Sequence, residues 1–157
     1  MLDTPTGKSG KRIIGYTVGV YDMFHIGHLN VIKNAKENCD VLIVGVNSDE
    51  LTYSYKNKYP IIPETERIEI VRSIKYVDKA ELVDEIIRVD DNGKISAFEK
   101  HHFDVVFIGD DHRKVARWQE VDEYLRKHGA KVCFLPYTKH ISSSKLAEIV
   151  DKMLISF

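Results

Sequence analysis

Apolar positions along this chain alternate between two periodicities. The stretch "RIIGYTVGVY" at 12–21 is almost continuous in branched and aromatic residues and predicts a strand buried on both faces. In "GHLNVIKNAKENC" the apolar Leu29, Ile32 and Ala35, with Val31 beside them, recur at helical spacing. "DVLIVGVNS" reads as a second strand. "LTYSYKNKYPIIP", with its two prolines and no periodicity, predicts a loop. "ETERIEIVRSIKYV" predicts a helix with Ile68, Val71 and Ile74 on one face. "KAELVDEIIRVDDNGK" fits neither template cleanly and carries the turn signal "DDNG". Beyond it, "SAFEKHH" predicts a short helix and "FDVVFIGDD" a strand ending at Gly109. "VARWQEVDEYLRKHG" predicts a helix closed by Gly129, "AKVCFLPYT" the last strand and "SSSKLAEIVDKML" the last helix.

Strands separated by helices predict an α/β fold: a Rossmann-like, doubly wound parallel sheet covered on both faces. Such sheets bind ligands beyond the carboxyl ends of their strands, near the switch point in strand order. The chemically unusual segments all follow strands: "VYDMFHIGH", "NSDE", "GDDHR" and "PYTKHISSS". They converge on one rim.

Composition narrows the class without changing this picture. A chain of 157 residues suits one domain with a sizeable core. With 23 basic and 24 acidic residues and a net charge of -1, it lacks the basic excess of a general nucleic-acid binder. No apolar run approaches the roughly 20 residues of a membrane-spanning helix. Residues 1–11, small and polar, are expected to be a flexible leader, and 12–157 a single domain. Cys39 and Cys133, far apart beside apolar strands, are expected to be two buried free thiols, which fits a reducing cytoplasm.

The candidate chemistry starts at "HIGH". A helix opening near Gly27 aims its first amides at the crevice, where they favour a phosphate. Gly27 lets backbone approach the ligand with no Cβ in the way. His25 and His28 supply imidazole donors for polyphosphate oxygens, able to carry charge near neutral pH. As an isolated pattern, H-x-x-H is more often an ordinary helix start. Ser142, Ser143 and Ser144 form a second capped helix start on the same rim. Two such starts suit a triphosphate better than either alone. Lys56 and Lys58 in "YKNKY" can clamp phosphates, and Asp110 and Asp111 in "GDD" can meet base, ribose or metal. Each of these also has a bland reading as solvated loop or turn.

Taken in order, the set resembles the cytidylyltransferase family of HxGH nucleotidyltransferases, glycerol-3-phosphate cytidylyltransferases in particular, from about Arg12 to Ile149. "GVYDMFHIGH" is similar to the family's G-T-F-D-x-x-H-x-G-H, with Val20 and Tyr21 in place of Thr and Phe and with Asp22, His25, Gly27 and His28 matched. "ERIEIVRSIKYVD" resembles its R-x-x-x-I-x-x-I-R-Y-V-D helix, keeping Arg67, Tyr76, Val77 and Asp78. Lys56 and Lys58 stand for its K-x-K, "VVFIGDD" for its V-F-V-M-G-D-D, and Lys94 for a lysine that meets the acceptor phosphate. "YTKHISSS" departs from R-T-E-G-I-S-T-T, with Tyr137 for the arginine and His140 for the glycine, while Thr138, Ile141 and Ser142 are kept.

The resemblance implies transfer of CMP from CTP to a small phosphate monoester, with release of pyrophosphate. It implies catalysis by His25, His28 and Lys56. Nucleotide contacts would come from Val20, Tyr21, Gly27, Lys58, Asp110, Thr138, Ile141, Ser142, Ser143 and Ser144, and substrate contacts from Asp22, Lys56 and Lys94. It further implies Mg2+ carried by CTP, a homodimer, no membrane module and a cytoplasmic enzyme. Two other readings stand beside it: an adenylyltransferase of the same superfamily, phosphopantetheine adenylyltransferase-like, whose tail also carries I-S-S-S, and a non-catalytic nucleotide-binding domain.

Overall fold

The computed structural model describes residues 10–84 and 94–156. In chain order the elements are β1 Ile14–Gly19, α1 Ile26–Glu37, β2 Val41–Asn47, α2 Asp49–Lys56, α3 Glu64–Arg72, β3 Lys79–Val83, α4 Lys94–His101, β4 Val105–Gly109, α5 Arg117–Lys127, β5 Lys131–Leu135 and α6 Ser143–Ile155. The five strands form one sheet in the order β3-β2-β1-β4-β5, and every pairing is parallel. This is the doubly wound Rossmann-like sheet the alternation predicts.

Its two faces carry separate apolar layers. On one face α1 and α3 bury Ile32, Ala35, Ile68 and Val71 against Leu42, Val44, Val46, Val105 and Phe107. On the other, α4 and α5 bury Ala97, Trp118, Val121 and Leu125 against Tyr16, Ile43, Val106 and Ile108. Strand order reverses between β1 and β4. Their ladder runs from Gly15–Val105 to Tyr16–Val106, and beyond it Thr17 Oγ1 donates to Phe107 O at 3.1 Å. The segments after β1 and β4 therefore leave the sheet on either side of a switch-point crevice.

Three expectations need correction. The stretch at 51–63 is not all loop: α2 occupies Asp49–Lys56, started by Ser48 Oγ accepting from Leu51 N at 3.0 Å, with Asp49 and Glu50 in its first turn. Only Leu51 and Thr52 of this helix are buried, so it carries no apolar stripe to read. The next helix, α3, stops at Arg72, and Ile74 packs from the turn after it. Cys39 and Cys133 are free thiols but half-buried rather than buried. The "DDNG" turn and residues 1–9 of the expected leader lie outside the described residues. Among the described residues no helix is long and apolar enough to cross a membrane.

Candidate active site

The site grows from the corner between β1 and α1. Two residues here, Tyr21 (φ 57°) and Met23 (φ 47°), are non-glycine residues in the left-handed region. Each costs on the order of 1–3 kcal/mol and persists only where surroundings enforce it. The enforcement is visible. The Tyr21 ring is buried, 5.4 Å edge-on from His28 and 6.3 Å from Phe24. Between the strained pair, Asp22 accepts from the amides of Ile61 (2.8 Å) and Ile62 (2.9 Å), and its carbonyl accepts from Ser143 Oγ at 2.5 Å.

His25 is the N-cap of α1, and the two imidazoles cap reciprocally. His25 Nδ1 accepts from Gly27 N at 3.0 Å, and His28 Nδ1 accepts from His25 N at 3.2 Å. A nitrogen that accepts carries no proton, so each neutral ring has its hydrogen on Nε2. The rings stack with centroids 3.8 Å apart. Burial lowers the pKa of His25. His28 falls to about 3, driven by burial first, then by His25, with Lys56 adding to the shift and Asp22 opposing it. The pair is therefore neutral at pH 7 and presents two fixed Nε2–H donors.

Gly27 serves the same geometry. A Cβ there would lie 2.8 Å from His25 Cε1 and 2.9 Å from its Nδ1. The glycine makes room for the histidine ring, and its amide is taken by that ring rather than left for a phosphate.

Two further segments meet this corner. At the end of α2, Lys56 stands on the rim, where partial desolvation and the charge of Lys58 lower its pKa while Asp22 raises it. From the other side comes the approach to α6. Asn30 Nδ2 donates to Thr138 Oγ1 at 3.0 Å, and Ile141 lies against Gly27. Ser142 Oγ accepts from Lys145 N at 3.1 Å as the N-cap of α6. Ser143 spends its hydroxyl hydrogen on Asp22 O, so it braces the corner, and Ser144 is exposed.

The structure thus gathers Asp22, His25, Gly27, His28, Lys56, Thr138, Ile141, Ser142 and Ser143 at one place, with Lys58 coupled through Lys56. The Tyr21 side chain is buried and packs edge-on against His28. Val20 offers its carbonyl to Arg67. Asp110 sits in the turn after β4, bound to Arg113 at 2.5 Å. Lys94 opens α4, on the face of the sheet opposite α1 and α3, with its Nζ 4.9 Å from the Trp118 ring.

Sequence reasoning missed two arginines. Arg113 lies over the Phe134 ring at 5.0 Å, a guanidinium on the β4–β5 side of the rim. Arg67, matched only as part of a helix pattern, is 1% exposed and bonds to several rim segments. Neither has a spacing signal that would reveal such a placement.

Comparison with known proteins places the chain in a family. Residues 16–149 match the family model described as "Cytidylyltransferase-like". The chain is 32% identical over 149 residues to an FAD synthase of Thermococcus kodakarensis, covering 94% of this chain and 95% of that protein. It is 31% identical over 137 residues to a glycerol-3-phosphate cytidylyltransferase of Bacillus spizizenii, covering 87% and 94%. Among solved structures, a lipopolysaccharide core biosynthesis protein from Thermoplasma volcanium superposes with a TM-score of 0.64 at 27% identity, covering 83% of this chain and all of that one.

Proposed function

The chain belongs to the cytidylyltransferase-like family, within the nucleotidyltransferase superfamily, and on that premise we propose that it transfers CMP from CTP to a small phosphate monoester and releases pyrophosphate. The observation that carries this reading is the reciprocally capped histidine pair, which fixes two Nε2–H donors at the switch point beside Lys56.

A phosphate oxygen of the acceptor forms a bond to the α-phosphorus as the bond to the pyrophosphate oxygen breaks. No group on the protein becomes covalently modified. The protein contributes position and charge stabilisation. His25 and His28 donate to oxygens that gain negative charge as the phosphorus becomes five-coordinate. Lys56 and Lys58 hold anionic phosphates near Asp22. The start of α6, capped by Ser142, receives the departing polyphosphate.

Mg2+ fits this site as a companion of the nucleotide. Among the described residues no group of three His, Cys, Asp or Glu side chains is arranged to hold a metal. Phosphate oxygens and water would supply most of its ligands, as Mg2+ prefers, and Asp22 is the carboxylate at hand. The ion's contribution is to neutralise charge on the phosphates.

A second reading, adenylyl transfer from ATP, is supported by the FAD synthase relatives, which match over almost their whole length. Both readings share an acceptor that ends in a phosphate monoester, and they part at the base. The discriminating experiment is a matrix of four nucleoside triphosphates against glycerol 3-phosphate, phosphocholine, phosphoethanolamine, a sugar phosphate and FMN, scored by pyrophosphate release. We expect CTP to exceed ATP by at least about tenfold in kcat/KM, which requires roughly 1.4 kcal/mol of differential transition-state binding. Equal or better use of ATP overturns the base assignment and leaves the transferase chemistry standing.

A further inference from the structure

We infer that Arg67 is a positioning residue for the transfer step: it sets the spacing between the histidine pair after β1 and the lysine-bearing segment after β2. This rests on the transferase reading above. Arg67 lies in α3 with its side chain shut off from solvent. Its guanidinium donates from Nη1 to Val20 O (2.6 Å) and Asn47 O (2.8 Å), from Nε to Ile62 O (2.8 Å), and from Nη2 to Asp49 Oδ1 (2.6 Å).

Each acceptor adjoins a working part of the rim. Val20 leads directly into the strained Tyr21–Met23 turn that carries Asp22 and delivers His25. Asn47 ends β2 and precedes Ser48, the N-cap of the helix whose last residue is Lys56. Ile62 follows the Lys58 loop, and its own amide donates to Asp22. One rigid, planar group therefore triangulates three segments that are distant in sequence and meet only at the site.

Holding α3 against the sheet does not need such a group. A buried guanidinium is costly to desolvate, and apolar side chains perform that packing elsewhere in the helix, at Ile68 and Val71. What a guanidinium adds is a fixed fork of donors, which lysine does not reproduce. A misplacement of about 1 Å costs on the order of 10²-fold in rate when reacting groups must be aligned.

The test uses full-length wild type, Arg67→Lys, Arg67→Met and Val71→Ala, a buried apolar substitution in the same helix that touches the core alone. Folded fraction is taken from urea denaturation, and turnover per folded molecule is measured with both substrates saturating. The expected result is a fall in kcat of about 10²-fold in both Arg67 variants, with the KM for the triphosphate within about threefold of wild type. Val71→Ala keeps wild-type kcat despite lower stability. Wild-type kcat in folded Arg67→Lys overturns the inference, as does an equal loss of kcat in Val71→Ala. If neither Arg67 variant folds, Asp49→Asn leaves the arginine in place and weakens one of its contacts. A severalfold fall in its kcat then supports the inference, and wild-type kcat overturns it. Failure of the wild type to transfer with any donor and acceptor pair overturns the proposed function, whereas an active wild type with unaltered Arg67 variants overturns this inference alone.

Discussion

The corner after β1 and the corner before α6 face the same crevice but are built to different standards. At the first, almost every polar group is committed. Two imidazoles cap each other's backbone, Asp22 takes two amides, Arg67 takes the Val20 carbonyl, and the strained Tyr21 is locked by a buried ring. At the second, α6 buries none of its residues, Tyr137 and His140 are exposed, and the chain is tied down mainly by Thr138, Ser142 and Ser143. The difference maps onto the two tasks of a phosphoryl-type transfer. Groups that meet charge appearing only in the transition state must stand in place beforehand. Groups that hold the ground-state polyphosphate can be gathered by the ligand itself.

The largest expected effect follows from the committed corner. His25→Ala and His28→Ala should each lower kcat by about 10²–10³, or roughly 2.7–4 kcal/mol, while triphosphate affinity by calorimetry moves far less. Gly27→Ala sharpens the point, because it removes no donor. Its Cβ would strike the His25 ring at 2.8 Å, so its single-turnover rate should fall toward that of His25→Ala. If either histidine variant turns over like wild type, that imidazole is only a helix cap.

A smaller effect is expected at the open corner. Ser142→Ala removes the N-cap of α6 and should cost about 1 kcal/mol of stability in urea denaturation. Its kcat should drop by less than tenfold, since the lost group acts on ground-state phosphate. A loss as deep as that of the histidine variants would show that both corners are catalytic and would dissolve the contrast.

How much of this was open to reading from the sequence also divides along the two corners. Four of the five strands, the sheet class and the convergence of His25, His28, Lys56 and Ser142 on one rim follow from hydrophobic period and from where each strand stops; β3, Lys79–Val83, with only part of its short length half-buried, fits neither period. What escaped depends on contacts between segments far apart in the chain. Helix α2 is set by Ser48 and its acidic first turn, with only Leu51 and Thr52 buried, so periodicity is silent there. Arginine reads as a surface residue, and only the meeting of Val20, Asn47 and Ile62 makes a buried place for Arg67. The neutrality of the histidines depends on packing by Tyr21 and Phe24 and on the nearness of Lys56, none of which appears as a spacing.

That neutrality gives an independent probe of the committed corner, read in stability rather than in rate. Burial above all, then His25 and Lys56, lower the pKa of His28 from 6.5 to about 3. Between those values the unfolded chain binds a proton that the native state refuses, so stability rises with pH across that window and is lost as pH falls below 6.5. Carboxylates act lower. Asp78 is held down, against its burial, by the Leu42 amide and Lys36, and Glu81, likewise against burial, by His101 and Lys100. Their contribution is present above the ordinary carboxylate range and disappears as pH falls through it. The acid side of the stability curve therefore has two parts with different owners. His28→Asn keeps a side-chain oxygen for the His25 amide but removes the titrating ring. Urea denaturation from pH 7 to 4.5 should show a shallower slope in this variant than in wild type, and the steeper loss below pH 4 should be unchanged. An identical slope above pH 4.5 in both proteins would mean that His28 titrates as freely folded as unfolded, and that the corner is less tightly built than its hydrogen bonds imply.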